Sequence, residues 1–151
     1  MNEKTPLPIE STPHESHTAE FEGEIIDVYK LISLAEQVEP ISLPVSQFEN
    51  TKQNNYWHDS HGGWLGPQNI IDAVTSVDDP LTLIHDESID IELRNHIQKV
   101  LDADYKSYPI IIIKGEVKDG MHRLTKAFID GVDSIDVKNF DDLPEGLIFS
   151  N

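Results

Sequence analysis

Asp119-Gly120-Met121-His122-Arg123 puts an acid, a glycine, an imidazole and a guanidinium in five consecutive positions. Leu124, Ala127 and Phe128 follow at helical spacing and Gly131 closes the run, so His122 and Arg123 fall in the first turn of a short helix. The start of a helix is its positive end, where acidic side chains are favoured and a cation is out of place. A cationic pair there makes sense with an anion lodged against the free backbone N–H groups, so the pattern predicts a phosphate or carboxylate site at Gly120–Arg123. In it, Arg123 would hold phosphate oxygens through its rigid, permanently charged fork, and the N–H groups of Met121 and His122 would complete the cradle. His122 suits proton transfer near neutrality, and Lys126, one turn on, could add positive charge. The competing reading is an ion pair of Arg123 with Asp119 or Asp104.

The elements around this turn must position it. Ile110–Ile113 reads as an apolar strand, Lys114-Gly115-Glu116 as a tight turn and 116–118 as a second strand pairing with the first. Ser88 to Asp104 reads as a helix capped by Ser88, with Ile89, Leu93, Ile97, Val100 and Leu101 in one stripe. His96 lies at the edge of that stripe, as a half-buried histidine or as a wall of the anion site. Asn50 to Pro67 is a polar loop carrying Tyr56-Trp57-His58 and His61-Gly62-Gly63-Trp64. Its tryptophans either anchor it to the core or line the pocket beside His122 and Arg123.

The remaining segments are less distinctive. Residues 1–23 are polar and proline-bearing and read as a disordered, dispensable acidic tail without a signal peptide. His14 and His17 have no third metal ligand nearby and read as solvated. Ile25 to Tyr29 suggests a strand or turn, and Ser33 with Glu36 a capping box opening a helix at about 34–38. Ile41–Val45 reads as a strand that Pro44 sends to a sheet edge, and Pro67 opens a helix to about Val74. Ser134–Val137 is a further strand, followed by an acidic tail packing through Phe140, Leu143 and Leu147. The order predicts an α+β domain over 24–145 with a small mixed sheet and packed helices, and a C-terminal tail at 146–151.

Composition bounds the function. The 151 residues suit one domain, and the lack of cysteine removes thiol catalysis, zinc–thiolate sites and iron–sulfur clusters. A formal net charge of −17 disfavours nucleic acid as a partner and leaves solvated acidic faces, or a surface that blocks a basic protein partner. No apolar run is long enough to span a membrane, and the expected setting is cytoplasmic.

The stretch Ala103-Asp104-Tyr105, Tyr108-Pro109-Ile110-Ile111, Gly115 to Leu124, Lys126-Ala127 and Gly131 resembles small bacterial proteins with a ParB/sulfiredoxin-like domain. Weaker likeness extends through Tyr29, Leu31-Ile32, Leu43-Pro44-Val45, Tyr56-Trp57 and His96. The resemblance implies a compact α+β fold whose Gly-x-His-Arg-like turn binds the phosphates of a nucleotide such as ATP, ADP or CTP. Mg²⁺ would come with the nucleotide, and Asp119 would orient a nucleophile or a metal, or share acid/base work with His122. Carried over by position, Gly120, Met121, His122 and Arg123 are the phosphate turn, with Lys126, His96 and Trp57 around it. Phosphotransfer and NTP hydrolysis are the activities implied; the alternative is a non-catalytic sensor of a phosphorylated ligand or an acidic protein-binding module. Met121 stands where sulfiredoxin has its catalytic cysteine, which excludes that reaction. With a short stretch after Gly131 and a charge unsuited to DNA, chromosome partitioning is not the expected role.

Overall fold

A computed structural model describes residues 18–148. In chain order they form β1 (Thr18–Phe21), β2 (Glu24–Asp27), α1 (Val28–Ala35), β3 (Ile41–Pro44), a 3-10 segment (Val45–Gln53), β4 (Trp57–His58), β5 (Trp64–Leu65) and α2 (Pro67–Thr75). Then come α3 (Leu81–Ile84), α4 (Ile91–Asp102), β6 (Ile110–Ile113), β7 (Glu116–Asp119), α5 (Met121–Asp130) and β8 (Ser134–Phe140). The fold is mixed α+β.

Its centre is a four-stranded mixed sheet in the order β3-β8-β6-β7. β8 is antiparallel to β3 and parallel to β6, and β6 is antiparallel to β7. The four isoleucines of β6 are all buried because both faces of the sheet are covered. Ile110 and Ile112 meet Leu124 and Ala127 of α5 with Val45, Phe48 and Tyr105, whereas Ile111 and Ile113 meet Phe21, Ile26, Leu31, Ala35 and Leu147. The strand period of two thus distributes one run between two cores. Ile70, Val74, Leu83, Ile97 and Val100 form a third cluster with Trp57, Leu101 and Ile129 against it, so α5 lies between the sheet and the α2–α4 layer.

Both two-residue hairpin turns use the same device. Glu22 (φ 51°) with Gly23 (φ 84°) joins β1 to β2, and Lys114 (φ 50°) with Gly115 (φ 82°) joins β6 to β7. Positive φ at both central residues matches the twist of an antiparallel pair. Pro44 sits at the end of the edge strand β3, where its missing N–H breaks no ladder bond.

Several expectations need correction. The first helix starts at Val28, capped by Asp27, whose carboxylate accepts from Lys30 N; Ser33 and Glu36 fall at its end. The cap of α4 is Asp90 rather than Ser88, with its carboxylate on the N–H groups of Glu92 and Leu93. The expected polar loop contains the last turns of the 3-10 segment and the β4–β5 hairpin. The core also passes both domain boundaries: Phe21 and Leu147 are 1% exposed, and Ile148 bridges to Ile26. Of the expected N-terminal tail, residues 1–17, with His14 and His17, lie outside the described residues.

Candidate functional site

β7 ends at Asp119, Gly120 turns the chain and α5 begins at Met121. Gly120 has φ 102°, and a Cβ there would meet Ile110 Cγ2 at 2.7 Å and Arg123 Nη2 at 2.8 Å. The glycine is therefore required by the close approach of the chain's own side chains. No side chain caps α5, and the N–H groups of Met121, His122 and Arg123 have no acceptor within the helix.

Arg123 is placed differently from the expectation that it holds phosphate. Its side chain is 3% exposed and turns inward. Nη1 donates to the carbonyl oxygens of Tyr108 (2.7 Å) and Pro109 (2.9 Å), and Nη2 donates to Asp119 Oδ2 (2.7 Å). The fork ties the entry of β6, the end of β7 and the first turn of α5 together, the competing ion-pair reading with two backbone acceptors added. Asp119, expected as an acid/base or metal-orienting residue, is the buried counter-charge of that pin. Lys126 is also drawn away: its ammonium reaches Leu101 O at 3.3 Å, on the negative C-terminal end of α4.

His122 comes together with His96 and Trp57. His96 Nδ1 and His122 Nε2 are 2.9 Å apart. The imidazole centroids are 5.2 Å apart with the planes inclined by 13°. That separation is the nitrogen–nitrogen distance plus two ring radii, so the rings lie edge to edge along a linear N–H···N bond rather than face to face. The Trp57 indole lies across both, 4.5 Å from His122 at 11° and 4.7 Å from His96 at 23°. Trp64 is 59% exposed and packs on His58 outside the cluster. Trp57, not Trp64, is therefore the tryptophan beside the turn.

The electrostatics of His122 follow from this setting. Its pKa is held well below the ordinary histidine value by burial first, then by His96, Lys99 and Arg123. The resting ring is neutral, with one nitrogen a donor and the other an acceptor. Nε2 faces His96, and Nδ1 is buried with no hydrogen-bond partner. His122 is the second residue of α5, so this unpartnered atom belongs to a side chain of the helix's first turn.

The hairpin that delivers Trp57 is pinned at its tip. Asp59 Oδ1 accepts from His61 N (2.8 Å) and Gly63 N (2.7 Å), closing the turn. Ser60 donates through N and Oγ to Asp90, which also caps α4. The carboxylate that starts the His96 helix thus also holds the Trp57 hairpin. Sequence reasoning missed Asp90 and Lys99; the run Asp90-Ile91-Glu92-Leu93 carries a readable cap signal, whereas nothing local ties Lys99 to His122.

Among the described residues no group of three or more His, Asp or Glu side chains could hold a metal ion. Asp119 faces Arg123, and Asp104 accepts from the N–H groups of Lys106 and Ser107. These carboxylates do not fit a resident Mg²⁺. No helix among the described residues is long and apolar enough to cross a membrane. Comparison with family models, with curated proteins and with solved structures finds no match to this chain.

Proposed function

We propose that this chain binds a phosphorylated small molecule, nucleotides such as ATP, ADP or CTP included, at the first turn of α5. Phosphate oxygens would accept from the N–H groups of Met121 and His122 and from Nδ1–H of His122. The observation that carries the reading is the buried Nδ1 without a partner beside an uncapped helix start. Such an atom is costly to bury unsatisfied, and a ligand oxygen would satisfy it.

The linear His96–His122 bond supports acid/base work. A proton leaving Nδ1 of His122 for the ligand can be replaced at Nε2 from Nδ1 of His96, which is half-buried. In this reading His122 is the proton donor and His96 its relay. Arg123 and Asp119 position the turn, and Mg²⁺ would arrive bound to the ligand's phosphates and water. Phosphotransfer and NTP hydrolysis are the reactions the site would serve. The Gly-led turn into α5 beside a mixed sheet also supports a ParB/sulfiredoxin-like fold, in a cytoplasmic protein without a membrane partner.

The Arg123–Asp119 pin favours a second reading, a sensor that binds the phosphorylated ligand without turnover, because both groups already serve the turn. Its acidic exterior would then repel or block a partner protein. A thermal-shift panel of ATP, ADP, CTP, phosphorylated metabolites and inorganic phosphate, with and without Mg²⁺, tests the binding. Ligand at a hundred times its Kd stabilises by about 2.7 kcal/mol. Phosphate release on any hit separates the readings, and a panel without a hit overturns both.

A further inference from the structure

We infer that the β4–β5 hairpin is a flap over the phosphate site, with Trp57 as its plug and the Ser60–Asp90 contact as its latch, so that an anion reaches His122 only after the hairpin swings away. The inference rests on the proposed phosphate site and adds how that site is reached.

Burial makes a moving part necessary. His122 is 4% exposed and its Nδ1 is sealed from solvent. An oxygen can bond that atom only if a covering group moves, and the covers differ in how firmly they are held. His122 sits on α5, whose first turn is fixed by the buried Arg123–Asp119 pair. The neighbouring α4 is built into the third apolar cluster through Ile97 and Val100, both fully buried. The Trp57 indole lies nearly parallel to the His122 ring at 4.5 Å and covers one face of it. It arrives on strands of two residues each, which form a separate two-stranded sheet. An isolated hairpin of that size is marginal, so this cover opens at the least cost.

The hairpin has the parts of a flap. Its base is fixed: Tyr56 N donates to Leu65 O (2.9 Å), and Gly66 N donates to Asn69 Oδ1 in the first turn of α2 (2.8 Å). A Cβ on Gly66 would collide with the Asn54 carbonyl oxygen, so the two stems cross here at the closest approach a backbone allows. Its tip is a self-contained turn, closed by Asp59 on the N–H groups of His61 and Gly63. The tip is held to the body by Ser60, whose N and Oγ donate to the Asp90 carboxylate on the exposed surface, with the His61 ring 4.0 Å from the same carboxylate. Trp57 lies between base and latch. When Ser60 lets go, rotation about the base lifts the indole off His122 and leaves the Arg123–Asp119 pin in place. Asp90 still caps α4 through the N–H groups of Glu92 and Leu93, so opening does not uncap the helix.

Diethyl pyrocarbonate is the probe, because it acylates an imidazole nitrogen only where it can reach one and needs no bound ligand. Mass spectrometry of the full chain should show His61, whose side chain is 88% exposed, modified at once and His122 slowly. Ser60→Ala removes the Oγ bond of the latch and should speed modification of His122 by about tenfold. The chain has no cysteine, so Ser60→Cys with Asp90→Cys places a single disulfide in the latch. Its oxidised form should protect His122 and exclude inorganic phosphate, whereas the same protein reduced should admit both; comparing the two forms cancels the loss of the cap. An unchanged rate in Ser60→Ala overturns the inference. So does modification of His122 equally fast in the oxidised and reduced forms, or in step with global unfolding read from exchange of the Ile112 amide. Protection of His122 with no phosphorylated ligand bound keeps the flap and overturns the proposed function, and ligand binding at a rate the disulfide does not alter does the reverse.

Discussion

Replacing Arg123 by methionine removes one half of a buried ion pair and two donors to backbone carbonyls. Asp119 is then left charged in the interior, so we expect a loss of about 3–5 kcal/mol in urea unfolding. Adding Asp119→Asn should recover part of it by removing the stranded charge, and Arg123→Lys should not restore stability, because one ammonium cannot reproduce the planar fork. His122 gives a pH signature. The unfolded ring has a pKa near about 6.5, whereas the folded ring lies well below it. As pH falls through the unfolded value, the unfolded chain binds a proton that the folded chain refuses. Stability should therefore drop below about pH 6.5, by up to roughly 1.4 kcal/mol per unit, with no contribution above about pH 7.5. His122→Phe keeps an aromatic ring beneath Trp57 and should flatten that slope in denaturation measured from pH 7 to pH 5.

At the level of elements, the β4–β5 hairpin and α4 meet at Asp90, and two substitutions separate its roles. Ser60→Ala releases the hairpin tip and leaves the helix cap, whereas Asp90→Ala removes both. Loss of the cap should cost about 1 kcal/mol. In a Trp64→Phe background, emission from Trp57 should shift to the red in both variants, while only Asp90→Ala loses the full stability increment. The elements nearest the site were the most legible in the sequence. The β6–β7 hairpin, the Gly-led start of α5 and its end at Gly131 have local signals strong enough to prevail. α1 was less legible because Val28, Tyr29 and Ile32 are β-formers and the Ser33–Glu36 pair imitates a cap. α3 has four residues, too few for a period to register. At the site, the sequence offered His96 and Trp57 as neighbours of His122 only as one of two readings each, from the edge position of His96 on its helix and the density of aromatic and histidine residues in the Trp57 loop. For Arg123, the pairing with Asp119 was legible as the competing reading, whereas its bonds to the Tyr108 and Pro109 carbonyls were not, since no side-chain pattern reveals them.

The whole molecule carries 28 acidic and 11 basic residues. That excess pushes the compact state apart and opposes any anion approaching the α5 turn. Raising NaCl from about 0.02 to 0.5 M shortens the screening length well below about 10 Å, so the melting temperature should rise. Phosphate-ligand association should also accelerate in salt until the added ions compete, the opposite of the slowing seen when opposite charges steer a ligand. The core's reach past the expected boundaries sets a limit on truncation. Phe21 packs with Ile26, Leu31 and Ile111, so removing residues 1–23 should lower the melting temperature by roughly 10 °C or more, on the scale of a Phe→Ala core change of about 3–5 kcal/mol.

The position of β8 inside the sheet has a consequence for biosynthesis. β8 is the last strand of the sheet to be translated, yet it lies between β3 and β6 and supplies partners to both. Until it leaves the ribosome, β3 has no neighbour, and Ile110–Ile113 presents an unpaired backbone edge. A nascent chain that stops at Asp133 is thus a sticky intermediate, with four consecutive isoleucines and a free ladder for another copy to join. Co-translational folding must wait for residues 134–140, and arrest-peptide force profiles should show no major peak before they emerge. Chains released early should be chaperone clients.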